Sequence, residues 1–208
     1  MKEFLGIGGY QREPEGYLSW QHLTFVTFLM VVMVISAVYF GSKNRNLDDK
    51  RKNKVLIASA ITIDLVEIFK IIFICIGSDE PFDRFLQELP LFLCSIQLIT
   101  IPIAAFAKGR MKEAALDNVF MFGLLGAVMG TYFAGNNYSC YPVLSLDNVA
   151  SGITHSISGF VAIYIGVSGL IIASFTLILQ SSFRATRYCA ASPTYQKTSP
   201  PTRRLRRL

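Results

Sequence analysis

Three side chains in this sequence have the chemistry for acyl transfer: Cys94, His155 and Glu67. An imidazole beside a thiol can generate the thiolate and later protonate the leaving group. A carboxylate can orient the imidazole, as the third member of such an arrangement does. The ordinary interpretations are that Cys94 is a small hydrophobic residue in a membrane and that His155 is an interfacial hydrogen-bonding group. We predict the three as catalytic residues and keep the ordinary interpretations open beside that prediction.

A second group of polar residues lies in apolar surroundings. Asp64, Glu67 and Lys70 are spaced by three residues, which places them along one side of a helix. Ionisable residues inside a membrane are costly and are therefore functional candidates. The alternative is a Glu67–Lys70 pair that neutralises itself at a helix interface. The predicted substrate-binding residues are His22, Lys70, Gln97 and Asp64, and because no Cys/His metal spacing is present we expect no metal and no cofactor.

These residues must be positioned by helices that cross a membrane. The chain is 52% hydrophobic and 16% charged, whereas soluble domains carry about 25% charge. A hydrocarbon core about 30 Å thick needs about 20 helical residues, and continuous apolar runs favour helices over a barrel. An all-α, polytopic transmembrane helical bundle is predicted, with the fifth span a single tilted helix. The five predicted spans are Leu23–Gly41, Val55–Gly77, Leu89–Ala107, Ala114–Gly135 and Ile153–Leu179.

The distribution of Lys and Arg determines the predicted orientation. Sixteen of the 20 lie in the loop after the first span, the loop after the third span and the C-terminal tail, whereas three lie in the alternating segments. The positive-inside rule then places the N-terminus outside and the C-terminus in the cytoplasm. We expect residues 1–22 to be an extracytoplasmic segment, 23–180 the transmembrane domain and 181–208 a basic, disordered cytoplasmic tail. In this orientation Glu67, Cys94 and His155 share the outer half of the membrane, with His155 within about one turn of the outer end.

The sequence around Cys94 resembles a family signature. Residues 89–94 read LPLFLC, which resembles the LPLHLC signature of the YwaF-like bacterial integral membrane proteins. The resemblance covers roughly residues 15 to 175. It implies a distant relation to eukaryotic phospholipid acyltransferases that use a membrane Cys and His, which would correspond here to Cys94 and His155. Other positions that match the family's pattern are His22, Glu67, Ile101-Pro102 and Phe122-Gly123.

Two departures from the family pattern bear on this expectation. Phe92 stands where the family often has a His, which removes one polar group from the proposed site. Family members typically continue into a sixth span, whereas this chain becomes rich in Ser, Thr, Pro and Arg after about Leu179. We therefore keep a six-span fold that lacks its last helix as an alternative to five spans.

Two classes of function follow from these observations. The first is a membrane-embedded lipid acyltransferase that uses the Cys/His pair. The second is a non-enzymatic transporter or membrane assembly partner in which Asp64, Glu67 and Lys70 line a path or pair across helices. In both cases the expected partners are membrane lipids, with oligomers formed through helix packing. No nucleic acid is expected, because the basic residues follow the membrane topology and form no stripe with aromatic residues.

Overall fold

The structure is a computed structural model that describes residues 4–6, 10, 12–77, 80–87 and 95–170, all within the compact unit Met1–Ile171. The regular structure of these residues is helical, which confirms the predicted all-α class. The helices are α1 (Trp20–Asn44), α2 (Asp49–Ile76), α3 (Pro81–Gln87), α4 (Gln97–Phe106), α5 (Arg110–Tyr132), α6 (Gly135–Cys140) and α7 (Leu146–Ser168).

Among the described residues, three helical stretches are long and apolar enough to cross a membrane: Trp20–Asn44, Arg110–Cys140 and Leu146–Ser168. The 28-residue α2 has the necessary length, about 42 Å, but carries three charged residues in its apolar part. The apolar α4 has 10 residues, and residues 88–94 of the predicted third span lie outside the described residues. These apolar helices thus indicate a membrane protein. The number of five spans stays a prediction.

The fifth predicted span, Ile153–Leu179, lies on a helix with different bounds, which ends before Leu179. The helix α7 begins seven residues earlier, at Leu146, where the side chain of Ser145 accepts a hydrogen bond from the backbone N–H of Asn148. It ends at Ser168, because Gly169 adopts the left-handed conformation (φ 77°, ψ 20°) and its N–H bonds back to carbonyls of the last turn. Hydropathy alone does not reveal these caps, and residues 171–179 lie outside the described residues.

Helix α7 is the centre of the bundle. It packs against α5, α1 and α2, while α4 packs against α2 and α5. Small residues bring α5 and α7 close together: a Cβ added at Gly123 would lie 2.7 Å from the backbone oxygen of Ser158. Close approach of this kind is typical of helix packing in membranes. The core beside it is formed by fully buried side chains from four helices: Ile63, Ile101, Val119, Tyr164 and Ile165.

The N-terminal segment lies across the end of the bundle where α7 begins. The hydroxyl of Tyr10 donates to Asp147 Oδ2 at 2.7 Å, and the N–H of Val143 donates to Glu15 Oε2 at 2.8 Å. The hydroxyl of Tyr17 donates to the carbonyl of Tyr132 at 3.0 Å, at the end of α5. The N-terminal segment and the α5–α7 connection therefore share one end of the bundle, as the alternating topology requires.

Two of the basic segments meet at the opposite end. Lys112 Nζ at the start of α5 donates to Asn53 Oδ1 at 2.7 Å, and Asn53 Nδ2 donates to the carbonyl of Ala105 at 2.7 Å. The hydroxyl of Tyr164, near the end of α7, donates to the carbonyl of Lys52 at 3.1 Å. The loops after α1 and α4 thus lie on one side of the bundle, as their charge predicted.

Candidate functional site

Helix α2 contributes a buried ion pair to the interior of the bundle. Lys70 Nζ lies 2.7 Å from Glu67 Oε1, and the two side chains are only 12% and 13% exposed. The spacing of three residues that suggested this pair places both groups on the same side of the helix. Asp64, one turn earlier, is half-buried. The self-neutralising pair is therefore formed, on a helix that packs against both α4 and α7.

His155 occupies the interior face of α7. The residue is buried, and its Nδ1 atom has no hydrogen-bond partner in the described part of the chain. The imidazole packs directly on α5, because a Cβ added at Gly130 would lie 2.3 Å from its Nε2 atom. The positive charge of Lys70 acts on the ring, so α2 and α7 bring the ion pair and the imidazole into one region. A buried polar atom without a partner costs about 1–3 kcal/mol, so His155 is a candidate functional residue among the described side chains.

His155 lies farther along its helix than the predicted span implied. The prediction placed it within about one turn of the outer end of the span, whereas it lies nine residues, about 13.5 Å, from the start of α7 at Leu146. Glu67 lies nine residues before the end of α2 at Ile76, also about 13.5 Å from that end. Both residues therefore lie about two and a half turns inside their helices.

His22 has a different environment. It is fully buried, and its Nδ1 atom accepts a hydrogen bond from the N–H of Leu18 at 3.2 Å. The Nε2 atom therefore carries the proton of the neutral ring and donates to the carbonyl of Thr131 at 3.1 Å. The ring of Tyr138 lies 3.8 Å away between centroids. Both ring nitrogens of His22 are engaged, and the residue ties α1 to the end of α5.

Two adjacent residues of α5 contact the two histidines: Gly130 contacts His155, and Thr131 contacts His22. Neither was predicted as a site residue. The ring of His155 packs against the backbone of Gly130. The carbonyl of Thr131, the next residue, accepts a hydrogen bond from His22. The signal in the sequence is the glycine itself, because glycine in an apolar helix often marks a close approach of a neighbouring element. Spacing could not show which residue approaches it.

Gln97 is the first residue of α4 and is fully buried. Its Oε1 atom accepts a hydrogen bond from the hydroxyl of Thr100 at 3.0 Å. Its Nε2 atom has no hydrogen-bond partner within the described part of the chain. Among the described residues, both N–H donors of this amide are therefore without an acceptor.

Cys94 and the rest of the LPLFLC segment lie outside the described residues. The structure thus places the α2 ion pair and His155 in one region, and His22 of α1 contacts α5 at Thr131, one residue after Gly130. The predicted Cys94–His155 contact stays a prediction. The carboxylate of Glu67 contacts Lys70, so the predicted orientation of the imidazole by Glu67 is not seen at Nδ1. Within the described ranges, no three His, Cys, Asp or Glu side chains lie close enough together to hold a metal ion.

The helical fold, its apolar spans and this buried polar region define an integral membrane protein of the multi-helix class. A family model, described as the TMEM164 family, matches residues 17–191. This match covers most of the chain and includes Glu67, Cys94 and His155, and the chain therefore belongs to the TMEM164 family. No curated protein and no solved structure matches the chain. The resemblance to the YwaF-like proteins stays a prediction.

Proposed function

We propose that this protein is a membrane-embedded acyltransferase that acts on phospholipids, with Cys94 as the nucleophile and His155 as the general base and acid. The observation that carries the proposal is the buried imidazole of His155, whose Nδ1 atom has no partner in the described chain, beside the Glu67–Lys70 ion pair. The family membership and the LPLFLC resemblance, which implies a Cys/His phospholipid acyltransferase, supply the class of reaction.

The proposed reaction has two half-reactions. In the first, His155 takes the thiol proton of Cys94, and the thiolate attacks an acyl ester of a donor phospholipid. A thioester forms, the ester C–O bond breaks, and the imidazolium returns the proton to the departing lysophospholipid oxygen. In the second, His155 takes the proton of an acceptor lysophospholipid hydroxyl, whose oxygen attacks the thioester. The thioester C–S bond breaks, the acylated acceptor leaves, and the imidazolium returns the proton to the Cys94 thiolate.

In this mechanism Glu67 is a positioning residue that acts through Lys70. Its carboxylate holds the ammonium group at 2.7 Å, which balances a buried positive charge next to the reacting imidazole. The N–H donors of Gln97, which meet no acceptor among the described residues, are suited to an ester or phosphate oxygen of the substrate. We assign substrate binding to Gln97, Lys70 and Asp64. We assign His22 an indirect part in substrate binding, because its hydrogen bond to the Thr131 carbonyl fixes α1 to α5.

The test is transfer of a labelled acyl chain between phospholipids in vesicles that contain the purified full-length protein. The Cys94→Ala and His155→Gln variants should lose transfer, whereas Cys75→Ala and Cys140→Ala serve as matched controls and should retain it. Both control cysteines are free thiols. Transfer that persists at the wild-type rate in Cys94→Ala would refute the proposed nucleophile.

A transporter or assembly partner is the second candidate, favoured by the ion pair inside α2. In that case Glu67→Gln would change solute flux in vesicles, or recovery of a partner protein, while Cys94→Ala would leave both unchanged. Loss of acyl transfer in Cys94→Ala with no change of flux in Glu67→Gln would exclude this candidate.

We further propose that the N-terminus is outside the cell membrane and the C-terminus is cytoplasmic, so that the site belongs to the outer half. The asymmetry of Lys and Arg supports this orientation. A membrane-impermeant maleimide should label the exposed Cys140 in intact cells but not a cysteine introduced at Ser42. The opposite labelling pattern would reverse the orientation.

A further inference from the structure

A groove runs between α1 and α2 at the end of the bundle that carries the basic loops. Both helices pack against α7 and hardly touch each other, so the groove has walls from α1 and α2 and a floor from α7. Its volume is about 410 Å³. The residues that define it include Phe40 of α1, Lys54, Ala58 and Thr62 of α2, and Ile157 and Phe160 of α7.

The groove is apolar along its length and charged at one end. Phe40 is 43% exposed, and the residues Ala58 and Thr62 are also exposed, so the groove opens toward lipid. Thr62 donates its hydroxyl to the carbonyl of Ala58 at 2.8 Å, which satisfies that donor within the helix. Lys54 is the charged residue of the lining. In the described part of the chain, no carboxylate lies within ion-pair distance of it.

The dimensions match half of a bilayer. From Lys54 to Thr62 the groove extends about 12 Å along α2, and one leaflet of the hydrocarbon core is about 15 Å deep. Lys54 lies five residues after the start of α2, at the level of the basic loop, where lipid headgroups lie. An acyl chain in the groove would therefore place a headgroup phosphate beside the Lys54 ammonium.

We infer that this groove binds one anionic phospholipid, with an acyl chain between α1 and α2 and the headgroup phosphate on Lys54. The charge at one end and the apolar length beyond it fit a lipid with a single anionic headgroup. The headgroup end of this site is separate from the Glu67–Lys70 pair, because Lys54 lies 13 residues, about 20 Å, before Glu67 on α2. It would be occupied whether or not the protein is an acyltransferase.

The test is native mass spectrometry of the full-length protein in detergent, titrated with phosphatidylglycerol or with phosphatidylcholine of the same acyl chains. Phosphatidylglycerol should bind at least about fivefold more tightly, and Lys54→Gln should remove this preference, because one basic residue near an anionic headgroup changes affinity by about that factor. The matched control is Lys50→Gln, an exposed lysine four residues earlier on the same helix, and its affinity should change less than about twofold. Ala58→Phe should fill the groove and weaken the binding of both lipids.

Three results would overturn the inference. The first is equal affinity of the wild-type protein for the two lipids. The second is an equal loss of phosphatidylglycerol binding in Lys50→Gln and Lys54→Gln, which would show attraction to a diffuse basic surface. The third is a wild-type dimer that dissociates in Ala58→Phe, together with wild-type lipid binding in Lys54→Gln. That combination would mean that a second copy of the chain occupies the groove. The comparison of the two lysine variants decides the matter even where Ala58→Phe does not fold.

Discussion

Replacing Gly130 by alanine tests the contact on which the site depends. The added Cβ would lie 2.3 Å from His155 Nε2 and 2.3 Å from Cε1. Ordinary contact would require the ring to move by about 1 Å, and the ring is the far end of a side chain that can rotate. Overpacking in a well-packed core costs about 1–3 kcal/mol, and we expect Gly130→Ala near the lower end of this range. A misplacement of about 1 Å in a reacting group can reduce activity about 100-fold, so acyl transfer should fall far more than stability.

Gly123→Ala is the matched control. Gly123 lies two turns earlier on α5 and faces the same helix, but its added Cβ would meet the backbone oxygen of Ser158 at 2.7 Å. Because backbone cannot rotate away, this variant should lose more thermal stability than Gly130→Ala and keep most of its activity per folded molecule. The assays are thermal unfolding in detergent and acyl transfer in vesicles, each normalised to folded protein.

The double variant Gly130→Ala/His155→Ala isolates the steric cause. With the ring removed, alanine at position 130 should destabilise the protein no further than His155→Ala alone. Full acyl transfer in Gly130→Ala, or a stability loss at position 130 that is independent of residue 155, would refute the reasoning.

Three further predictions concern individual contacts. Glu67→Gln should cost about 3–5 kcal/mol in denaturant unfolding because it removes the carboxylate that lies 2.7 Å from the Lys70 ammonium. Glu67→Met/Lys70→Met should recover most of that loss. A loss under about 1 kcal/mol would mean that the pair is solvated. His22→Ala should cost about 3–5 kcal/mol in thermal unfolding, as truncation of a large buried ring does, whereas Trp20→Ala, at an exposed position on the same turn, should cost less than about 0.5 kcal/mol. Burial alone would raise the pKa of Glu15, but the Val143 N–H and the Arg12 guanidinium hold that pKa below its usual value of 4.5. A carboxyl whose pKa is lowered by folding stabilises the folded state at pH values above its unfolded-state pKa. This stabilisation is lost as the pH falls through the folded-state pKa. The difference in unfolding free energy between wild type and Glu15→Ala should therefore be present at pH 7 and shrink below pH 4.5. The control is Glu13→Ala, at an exposed position, which should change stability at pH 7 by less than about 0.5 kcal/mol.

Local patterns in the sequence gave the parts of the fold that depend on local physics. The first apolar run corresponds to α1, and the fourth to α5, because a continuous apolar stretch in lipid must be helical. The Glu67–Lys70 pair followed from helical spacing, and the basic loops after α1 and α4 share one end as their charge indicated.

The features that the sequence did not reveal depend on caps and on contacts between distant residues. The ends of α7 are determined by the Ser145 side chain and by the left-handed Gly169, neither of which changes the hydropathy of the run. That early start places His155 about two and a half turns inside its helix. The contact of His155 with Gly130, 25 residues away in the sequence, arises from the packing of α5 on α7, and no periodicity within either helix predicts it.

The central claim is that Cys94 carries the acyl group and His155 moves the proton. The most direct test is peptide mass spectrometry of the full-length protein after incubation with phospholipid vesicles. A hydroxylamine-sensitive acyl thioester should be found on Cys94 in the wild-type protein and should be absent from His155→Gln. A wild-type protein with no acyl group on Cys94 while acyl transfer proceeds, or a thioester on Cys94 that forms equally well in His155→Gln, would contradict the claim.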